Sequence, residues 1–391
     1  MKKEPSSSAA APASSPWRIE VLRTEEALRG LQAEWEPLLS EAVARNPFLS
    51  WDWTELWWRK MHRQVRRLVV VTARDETGRL DVVLPLMIVP GEGGARRWLR
   101  HLHFLGGTPE IEAEGLEPLV RQGTEGALAA CWRHALEEAG RDWDTARFRY
   151  LDTASPLVAI LEQEIKTAGM QATRSQQQIS LMIDLPSTWE SYLGTRSGNF
   201  RKQLKRRNRR AEAEHSLKLH LAATQADVER LFPLLIQLHS QRWTEAQSGF
   251  LNPTAQAFHR DLARRWCQPT HPWRVLLMVL EHQGMPVAAN YAFSSADQLW
   301  DYQGGWMPTA SDVQPSKLMQ AELVRHAISE GIRRYDFLPG ANALKQSWST
   351  TQREVFDLEV FRPGSPRAAL FRLLRATRRT IAPPPPPPAI A

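Results

Sequence analysis

The stretch Trp273–Phe293, WRVLLMVLEHQGMPVAANYAF, decides the fold class, because it places two apolar runs on either side of a Gln-Gly turn. Runs of this length around a turn signal predict two antiparallel strands. A second stretch of the same kind, RLVVVTARDETGRLDVVLPLMIV, spans Arg67–Val89 with its turn near Thr77-Gly78. The two hairpins correspond in length and in what surrounds them, so the sequence predicts a duplicated unit.

The elements around each hairpin follow the same order. A strand-like segment and an amphipathic helical pattern precede each one: WRIEVLR and residues 24–44 in the first half, LKLHLAAT and residues 225–242 in the second. A helix and a strand follow each one, in ALAACWRHALEEAGRDWDTARFRYLD and in KLMQAELVRHAISEGIRRYDFLPG. Hairpins are antiparallel and a strand reached through a helix is parallel, so this order predicts an α/β fold with mixed sheets flanked by helices.

The positive charge of the chain is concentrated in one segment. The net charge is +7, and the stretch Arg196–Arg210 holds eight of the 50 basic residues and none of the 43 acidic ones. The rest of the chain is therefore nearly balanced, with 42 basic and 43 acidic residues. Uncompensated like charges repel one another on a helix, so this segment predicts an anionic partner. Candidates are coenzyme A phosphates, a lipid-linked sugar phosphate, an anionic membrane surface and tRNA.

Several classes of protein are excluded by what the sequence lacks. The first residues, MKKEPSSSAAAPASSP, have no apolar signal-peptide core, and no uninterrupted apolar run reaches the roughly 18 residues of a spanning helix. We therefore expect a cytoplasmic protein, with peripheral contact at the inner face of the membrane left open. The P-loop, Rossmann, α/β-hydrolase and zincin motifs are missing. No metal site is predicted, since His101 and His103 lack a third ligand and Cys131 and Cys267 lie far apart.

Particular segments resemble a known family. They are NPFLSWDW (Asn46–Trp53), NFRKQLKRRNRR (Asn199–Arg210), LHSQRW (Leu238–Trp243), and YQGGW through YDFLPGANALKQSW (Tyr302–Trp348). They resemble the GNAT-superfamily acetyltransferase-like proteins grouped with the cellulose-biosynthesis protein CelD, distant relatives of the Fem aminoacyltransferases. The resemblance implies tandem GNAT-like (acyl-CoA N-acyltransferase) domains and a transferase that moves an acetyl or other acyl group from acyl-CoA to an amine or hydroxyl.

Together, the repeat and the resemblance divide the chain into five segments. They are a disordered tail (residues 1–16), an N-terminal GNAT-like domain (17–185), a basic bridging helix (186–215), a C-terminal GNAT acetyltransferase domain (216–364), and a basic helix with a polyproline tail (365–391). The last of these reads SPRAALFRLLRATRRT before the prolines and is amphipathic, as surface-anchoring helices are.

A donor site is predicted after Gly304-Gly305, where a loop leads into a helix from about Ser316. Backbone N–H groups at a helix N-terminus bind phosphates. The resemblance implies that this turn cradles the pyrophosphate of acetyl-CoA or another acyl-CoA, at Ser316, Lys317 and Leu318. The alternative is an ordinary helix end that Ser316 caps.

Three residues are candidates for catalysis. Asp336 follows a strand in YDFLP, where a partly buried carboxylate can orient or deprotonate a nucleophile, or instead cap the turn at Gly340. His239 in LHSQRW can exchange protons near neutrality, or be a satisfied core histidine. Tyr302 in YQGGW is the third candidate, for protonating a leaving thiolate as tyrosines do in GNAT enzymes, or for strand packing.

Five further residues are candidates for binding substrate. In the family the lysine of an aromatic-Lys-x-x-Trp segment meets an anionic part of the substrate, which implies that role for Lys345 and Trp348. Arg242 can clamp a carboxylate or phosphate. Arg201 and Lys202 are the candidates from the basic segment Arg196–Arg210 for binding an anionic substrate.

Three hypotheses for function follow. The first is acyl-CoA-dependent acylation of a polysaccharide or cell-envelope precursor, with acyl-CoA and a small-molecule or glycan-precursor acceptor as partners and no DNA. The second is a Fem-like aminoacyl-tRNA-dependent transferase, whose tRNA binding would depend steeply on salt. The third is a non-catalytic scaffold of a polysaccharide-synthesis complex.

Overall fold

A computed structural model describes residues 16–91, 93–213, 217–268, 270–310 and 314–381, without the side chains of residues 95, 207–213 and 376–381. The predicted tails, residues 1–16 and the polyproline segment, lie outside the described residues except for Pro16 and Ile381. None of the helices in these ranges has both the length and the apolar character needed to cross a bilayer.

The first half of the chain alternates strands and helices in the predicted order. Its elements are β1 (Arg18–Leu22), α1 (Glu25–Arg29), α2 (Gln32–Ser40), α3 (Trp51–Met61), β2 (Arg67–Arg74), β3 (Leu80–Pro90), β4 (Arg100–Phe104), β5 (Leu119–Val120), α4 (Gly126–Ala139), β6 (Thr145–Asp152), α5 (Pro156–Thr167) and β7 (Gln171–Asp184).

The second half repeats that order after two linking helices. Its elements are α6 (Trp189–Gly194), α7 (Gly198–Ala213), β8 (Leu217–Leu221), α8 (Gln225–Ser240), α9 (Pro253–Trp266), β9 (Arg274–His282), β10 (Met285–Ser294), β11 (Gln298–Trp306), α10 (Pro315–Ser329), β12 (Arg334–Pro339), α11 (Ala343–Trp348), β13 (Thr351–Phe361) and α12 (Pro366–Ile381).

All described strands belong to one mixed sheet. The order is β1-β2-β3-β4-β6-β13-β7-β12-β11-β10-β9-β8, and β5 adds to β3. Only the pairs β4–β6 and β11–β12 are parallel among the described strands. The predicted α/β fold, a mixed sheet flanked by helices in each half, is confirmed.

The two halves are joined through their last strands. Strand β13, from the end of the second half, pairs with β6 of the first half on one side and with β7 on the other. Strand β7 in turn pairs with β12. The sequence-based boundary at residue 185 assigns β7 to the first domain, yet both of its neighbours come from the second half. The halves therefore share one sheet, and the division into domains stays a prediction.

Helices of both halves also share a core. One apolar cluster contains buried side chains of α2 and α3 together with those of α8 and α9. Ion pairs join α3 to α9 at its edge: Arg265 lies 2.8 Å from both Asp52 and Glu55, and Lys60 lies 2.8 Å from Asp261. On the other face of the sheet, each half has its own separate apolar cluster. This shared core fixes the first half against the second, which lets loops of one contribute to a site in the other.

Candidate active site

The parallel pair β11–β12 is short. Only Gln298–Trp300 pair with Arg334–Asp336. Directly after this ladder, β11 has a β-bulge at Tyr302, which lies between the pairs that Asp301 and Gln303 make with β10. A bulge bends its strand and interrupts pairing. Beyond Trp300 the two strands are no longer paired, and we call the opening between Asp301–Trp306 and Phe337–Pro339 the C-terminal notch.

Hydrogen bonds hold a buried carboxylate at the start of the C-terminal notch. Asp301 accepts from the side-chain amide of Asn290 at 2.7 Å and from the hydroxyl of Tyr335 at 2.9 Å. The Tyr335 hydroxyl in turn accepts from Gln320 at 2.8 Å. Burial raises the pKa of Asp301, while these bonds and the charge of Lys345 act in the opposite direction. The network fixes the position of this carboxylate.

Lys345 faces the same place from α11. Its Nζ donates to the carbonyl oxygens of Phe337 at 2.8 Å and Leu338 at 3.4 Å. Burial lowers the pKa of Lys345, although the nearby negative charges of Asp301, Glu114 and Asp336 partly offset the effect. Leu338 has a φ of 59°, a strained conformation for a branched side chain. Strain of this kind persists where the surrounding structure enforces it, often at functional sites.

Glu114 joins this cluster from the first half of the chain and was not among the residues predicted from the sequence. It lies on the loop between β4 and β5, and its Oε2 is buried without a hydrogen-bond partner among the described residues. Burial, reinforced by the charge of Glu112, raises the pKa of Glu114 well above its usual value. The only signal in the sequence is the acid-rich IEAEGLE, Ile111–Glu117. Buried ionisable groups with shifted pKa values are typical of functional sites.

The first predicted catalytic residue, Asp336, is buried and fully bonded. Its Oδ1 accepts from the Ser180 hydroxyl at 2.7 Å and the Leu338 N–H at 2.8 Å. Its Oδ2 accepts from two nitrogens of Arg353, at 3.1 and 3.0 Å. Four hydrogen bonds occupy the acceptor positions of a carboxylate. Asp336 thus connects β12 to β7 and β13, and it binds the N–H of Leu338 instead of capping the turn at Gly340.

His239 is a satisfied buried histidine. Its Nδ1 lies 2.9 Å from the carbonyl oxygen of Gly304, and its Nε2 lies 2.9 Å from the hydroxyl of Ser248. Burial lowers its pKa, so the neutral imidazole predominates around neutrality. This geometry matches the core-histidine alternative, because His239 attaches the end of α8 to β11.

Tyr302 lies in the shared aromatic core. Its hydroxyl donates to the carbonyl oxygen of Glu112 at 2.8 Å and lies 3.2 Å from Nε2 of His259. Burial raises the pKa of Tyr302 well above its usual value. The hydroxyl proton is therefore engaged in a hydrogen bond between the two halves, which matches the packing alternative. The raised pKa also makes Tyr302 a poor proton donor to a leaving group.

The start of α10 differs from the predicted helix end. The helix begins at Pro315, and its N-cap is Gln314, in a left-handed conformation and without a side-chain cap bond. The expectation that Ser316 caps the helix is therefore wrong, because Ser316 lies in the first turn. The N–H groups of Lys317 and Leu318 donate to the carbonyl of Gln314 at 3.0 and 3.3 Å. Of the three residues predicted to contact pyrophosphate, Lys317 and Leu318 thus already donate their backbone N–H groups to an acceptor within the helix.

The predicted substrate residues divide into exposed and buried groups. Arg242 is exposed, and its guanidinium stacks 3.5 Å from the ring centroid of Trp306 without a side-chain hydrogen bond or ion pair to the described residues. Trp348 is buried, stacked on Tyr192 and contacted edge-on by Phe200, so it is a packing residue.

The basic helix α7 docks through this same aromatic contact. Arg196 donates to the carbonyl oxygens of Trp348 and Ser349 at 3.2 and 2.6 Å, and Leu204 is buried. Arg201 and Lys202 are exposed. Between Gly198 and Arg206, α7 has four basic residues and no acidic one, so it presents positive charge next to the helix that carries Lys345.

The structure thus brings Lys345 and Asp336 together with Asp301 and Glu114, and it places His239 and Tyr302 in packing positions. No cluster of three or more potential metal ligands occurs among the described residues.

Comparisons with known proteins agree with this architecture. The crystal structure of FemX is 11% identical, with a TM-score of 0.58 over 88% of this chain and 98% of that chain. A protein of unknown function from Bacteroides thetaiotaomicron is 12% identical, with a TM-score of 0.53 over 85% and 97%. The L-PGS structure from Bacillus licheniformis is 11% identical, with a TM-score of 0.50 over 88% and 96%. At such identities the likeness establishes the fold alone.

Sequence comparison locates one family within the chain. No curated protein matches the sequence significantly. Residues 198–346, from the start of α7 into α11, match the family model described as an acetyltransferase (GNAT) domain. This segment contains the C-terminal notch and Lys345. Residues 198–346 are therefore similar to GNAT acetyltransferase domains, within a fold that most of the chain shares with FemX.

Proposed function

We propose that the chain is a GNAT-type acyltransferase that moves an acyl group from acyl-CoA to an amine or hydroxyl at the C-terminal notch. The observation that carries the proposal is the meeting of Glu114, Lys345 and Asp301 where β11 and β12 separate. Burying three ionisable groups costs free energy, and a fold retains such groups mainly where chemistry uses them.

Glu114 is the proposed general base. Its raised pKa makes its carboxylate a stronger proton acceptor than an exposed glutamate, which suits removal of a proton from the attacking amine or hydroxyl. Lys345, held by two carbonyl oxygens, provides a positive charge that attracts an anionic part of the acceptor. Asp301 keeps this ammonium charged through its own negative charge.

The unpaired edge of β11 is the proposed source of hydrogen-bond donors for the carbonyl oxygen of the acyl group. Beyond Trp300 this edge has no strand partner towards β12, and such an edge presents backbone N–H groups. We assign to these donors the polarisation of a carbonyl oxygen in the C-terminal notch. An acyl-CoA supplies the thioester to be cleaved. In this scheme Asp336, His239 and Tyr302 are positioning residues, in place of the proton-transfer roles that the sequence analysis proposed.

The acceptor is proposed to be an anionic precursor of a polysaccharide or of the cell envelope. Arg201 and Lys202 are exposed on α7, which packs beside the helix that carries Lys345. Positive charge without acidic neighbours favours a phosphate-bearing molecule.

A second candidate is an aminoacyl-tRNA-dependent transferase. Two observations favour it: the basic helix α7, and the internal acceptor that Lys317 and Leu318 already have at the start of α10. A third candidate is the non-catalytic scaffold. The internal acceptor of Lys317 and Leu318 favours it as well. Binding of tRNA at low salt that weakens steeply as salt rises, together with no binding of acyl-CoA, would favour the second candidate over the first.

Calorimetric titration with acetyl-CoA and then CoA tests the donor. We expect the wild-type protein to bind both ligands, and Lys317→Glu to weaken binding about tenfold by reversing a charge beside the pyrophosphate. The matched control is Lys166→Glu, at the last turn of α5 in the other half, which should bind normally. Absence of binding in a folded wild-type protein contradicts the acyl-CoA proposal.

The last helix is proposed to touch an anionic membrane surface. Leu370, Leu373 and Leu374 share one face of α12 and are 57%, 63% and 46% exposed, while Ala368 and Phe371 pack against the protein. The helix sequence is basic throughout, with no acidic residue. Exposed leucines flanked by arginines are typical of helices that lie in the membrane interface.

Vesicle sedimentation tests this contact. The protein should bind vesicles that contain phosphatidylglycerol and not those of phosphatidylcholine alone, and Leu370→Glu should abolish binding. The control is Leu219→Glu on β8, a leucine that is 42% exposed in a different part of the molecule. Equal binding by Leu370→Glu and the wild type contradicts the contact.

A further inference from the structure

The first half contains a notch of its own. Strands β4 and β6 are parallel over only two pairs, His101 with Thr145 and Leu102 with Ala146. Where they separate lies a cavity of about 180 Å³. We call it the N-terminal cavity. Its volume is below the roughly 300–1,000 Å³ of pockets for drug-sized ligands, so it fits a small metabolite and not a whole coenzyme.

The walls of the N-terminal cavity are of two kinds. One wall is apolar and includes Val89, Phe104, Leu116 and Phe148. The other wall is basic and contains side chains of β4 and β6 and of the segment before β4, namely Arg96, His101, His103, Arg147 and Arg149. A ligand that fills this cavity therefore has an apolar body and a group that accepts hydrogen bonds.

Three side chains on the basic wall have nitrogen atoms without a hydrogen-bond partner among the described residues. Nε2 of His103 and Nε of Arg149 are buried and unbonded. The side chain of Arg147 makes no hydrogen bond to the described residues, and the carboxylate oxygen nearest to it, Oδ2 of Asp357, is 3.8 Å away. The same oxygen lies 3.7 Å from Nε of Arg149, and neither distance is that of a hydrogen bond. A buried donor without a partner is unfavourable, so the two buried nitrogens, together with the partly exposed Arg147 guanidinium beside them, point to a ligand that accepts hydrogen bonds.

The charges around the N-terminal cavity leave one positive charge uncompensated. Of the three arginines that line it, Arg149 pairs with Glu112 at 2.8 Å, and Arg96 shares Glu359 with Arg375. Asp357 faces Arg147 and Arg149 without bonding to either side chain. The guanidinium groups around the cavity thus outnumber the carboxylates by four to three. The former belong to Arg96, Arg147, Arg149 and Arg375, and the latter to Glu112, Asp357 and Glu359. His101 and His103 add no charge, because burial lowers the pKa of His101 to about 4 and that of His103 well below its usual value.

We propose that the N-terminal cavity binds a small monocarboxylate, with its carboxylate on Arg147, Arg149 and His103 and its body against Phe104 and Phe148. A single negative charge completes the balance, whereas a phosphate monoester carries nearly two. Guanidinium groups bind carboxylates through paired N–H donors. The site is separate from the C-terminal notch and does not depend on the acyl-transfer proposal. It touches the same loop, since Ala113 lines the cavity between Glu112 and Glu114.

Calorimetry with three probes at constant ionic strength tests the site: sodium hexanoate, sodium benzoate and inorganic phosphate. We expect the carboxylates to bind the wild-type protein and Arg147→Met to weaken them by about tenfold or more, since it removes a charged hydrogen-bond partner. The control Arg133→Met changes an arginine on the exposed face of α4 and should bind as the wild type does. His103→Phe removes a donor from the other strand and should also weaken binding.

Unfolding measurements separate binding from folding. The Arg147 side chain has no hydrogen bond to lose, so Arg147→Met without ligand should melt at or above the wild-type temperature. Carboxylate binding that is unchanged in both Arg147→Met and His103→Phe contradicts the assignment. So does a wild-type protein that binds neither carboxylate, or one that binds phosphate alone.

Discussion

Glu114→Gln is expected to reduce acyl transfer by about 10²–10⁴-fold at neutral pH, which is the usual contribution of a general base. Glutamine keeps the shape of the side chain but cannot accept a proton. Since burial already disfavours the charged form of Glu114, the free energy of unfolding should stay the same or increase. Turnover is measured as release of the CoA thiol with a panel of amino-sugar and hydroxyl acceptors.

The pH profile gives the same prediction a second readout. Glu114 must be ionised to act, and its pKa is raised, so the rate should increase with pH through a pKa above that of an ordinary glutamate. Lys345 must be charged, and its pKa is lowered, so the rate should fall at high pH before an ordinary lysine would titrate. The rate of the wild-type protein should therefore have a bell-shaped dependence on pH. In Glu114→Gln the increase of the rate on the acidic side should disappear.

A second buried glutamate on the same loop is the control. Burial raises the pKa of Glu117 to about 7, and the hydroxyl of Ser155 donates to it at 2.6 Å. Glu117→Gln removes a similar carboxyl without touching the cluster at Lys345, so it should retain turnover. Equal losses in the two variants would indicate disruption of the loop, and full activity of Glu114→Gln would refute its role as the base.

Gly305→Ala is expected to destabilise the protein by about 3 kcal/mol or more, at the upper end of overpacking effects. A Cβ at Gly305 would lie 2.3 Å from the backbone N of His239 and 2.5 Å from the carbonyl carbon of Leu238. Backbone atoms cannot turn aside as a side chain can. Helix α8 would have to move from β11, which would also weaken the bond between His239 and Gly304.

The neighbouring glycine is a matched control for this prediction. A Cβ at Gly304 meets the carbonyl oxygen of Ala289 at 3.3 Å, so small shifts accommodate it. Urea denaturation should therefore show a much lower midpoint for Gly305→Ala than for Gly304→Ala. Similar midpoints for the two variants would mean that α8 does not approach β11 as closely as the structure shows.

The principal strands and helices of both halves, and their order, followed from local sequence patterns. Alternation, helical periodicity and turn residues act within a few positions, so both hairpins and the helices around them could be predicted from Arg67–Val89 and Trp273–Phe293. The family resemblance led to Lys345, which the structure places at the C-terminal notch. Helix ends were less certain: α10 starts one residue before Ser316, because Gln314 adopts the left-handed conformation that begins the helix.

Strand pairing and the contacts between ionisable groups became known from the folded chain and not from local sequence. Strand β13 lies between β6 and β7 because long-range pairing, and not local propensity, selects partners. Asp336 looked like a free acid until Ser180 from β7 and Arg353 from β13 occupied its oxygens. The acid-rich IEAEGLE did not single out Glu114, since its pKa is raised by burial, which depends on packing between segments distant in sequence. Local patterns fix local structure, whereas reactivity depends on a dielectric environment that exists only after the two halves have packed together.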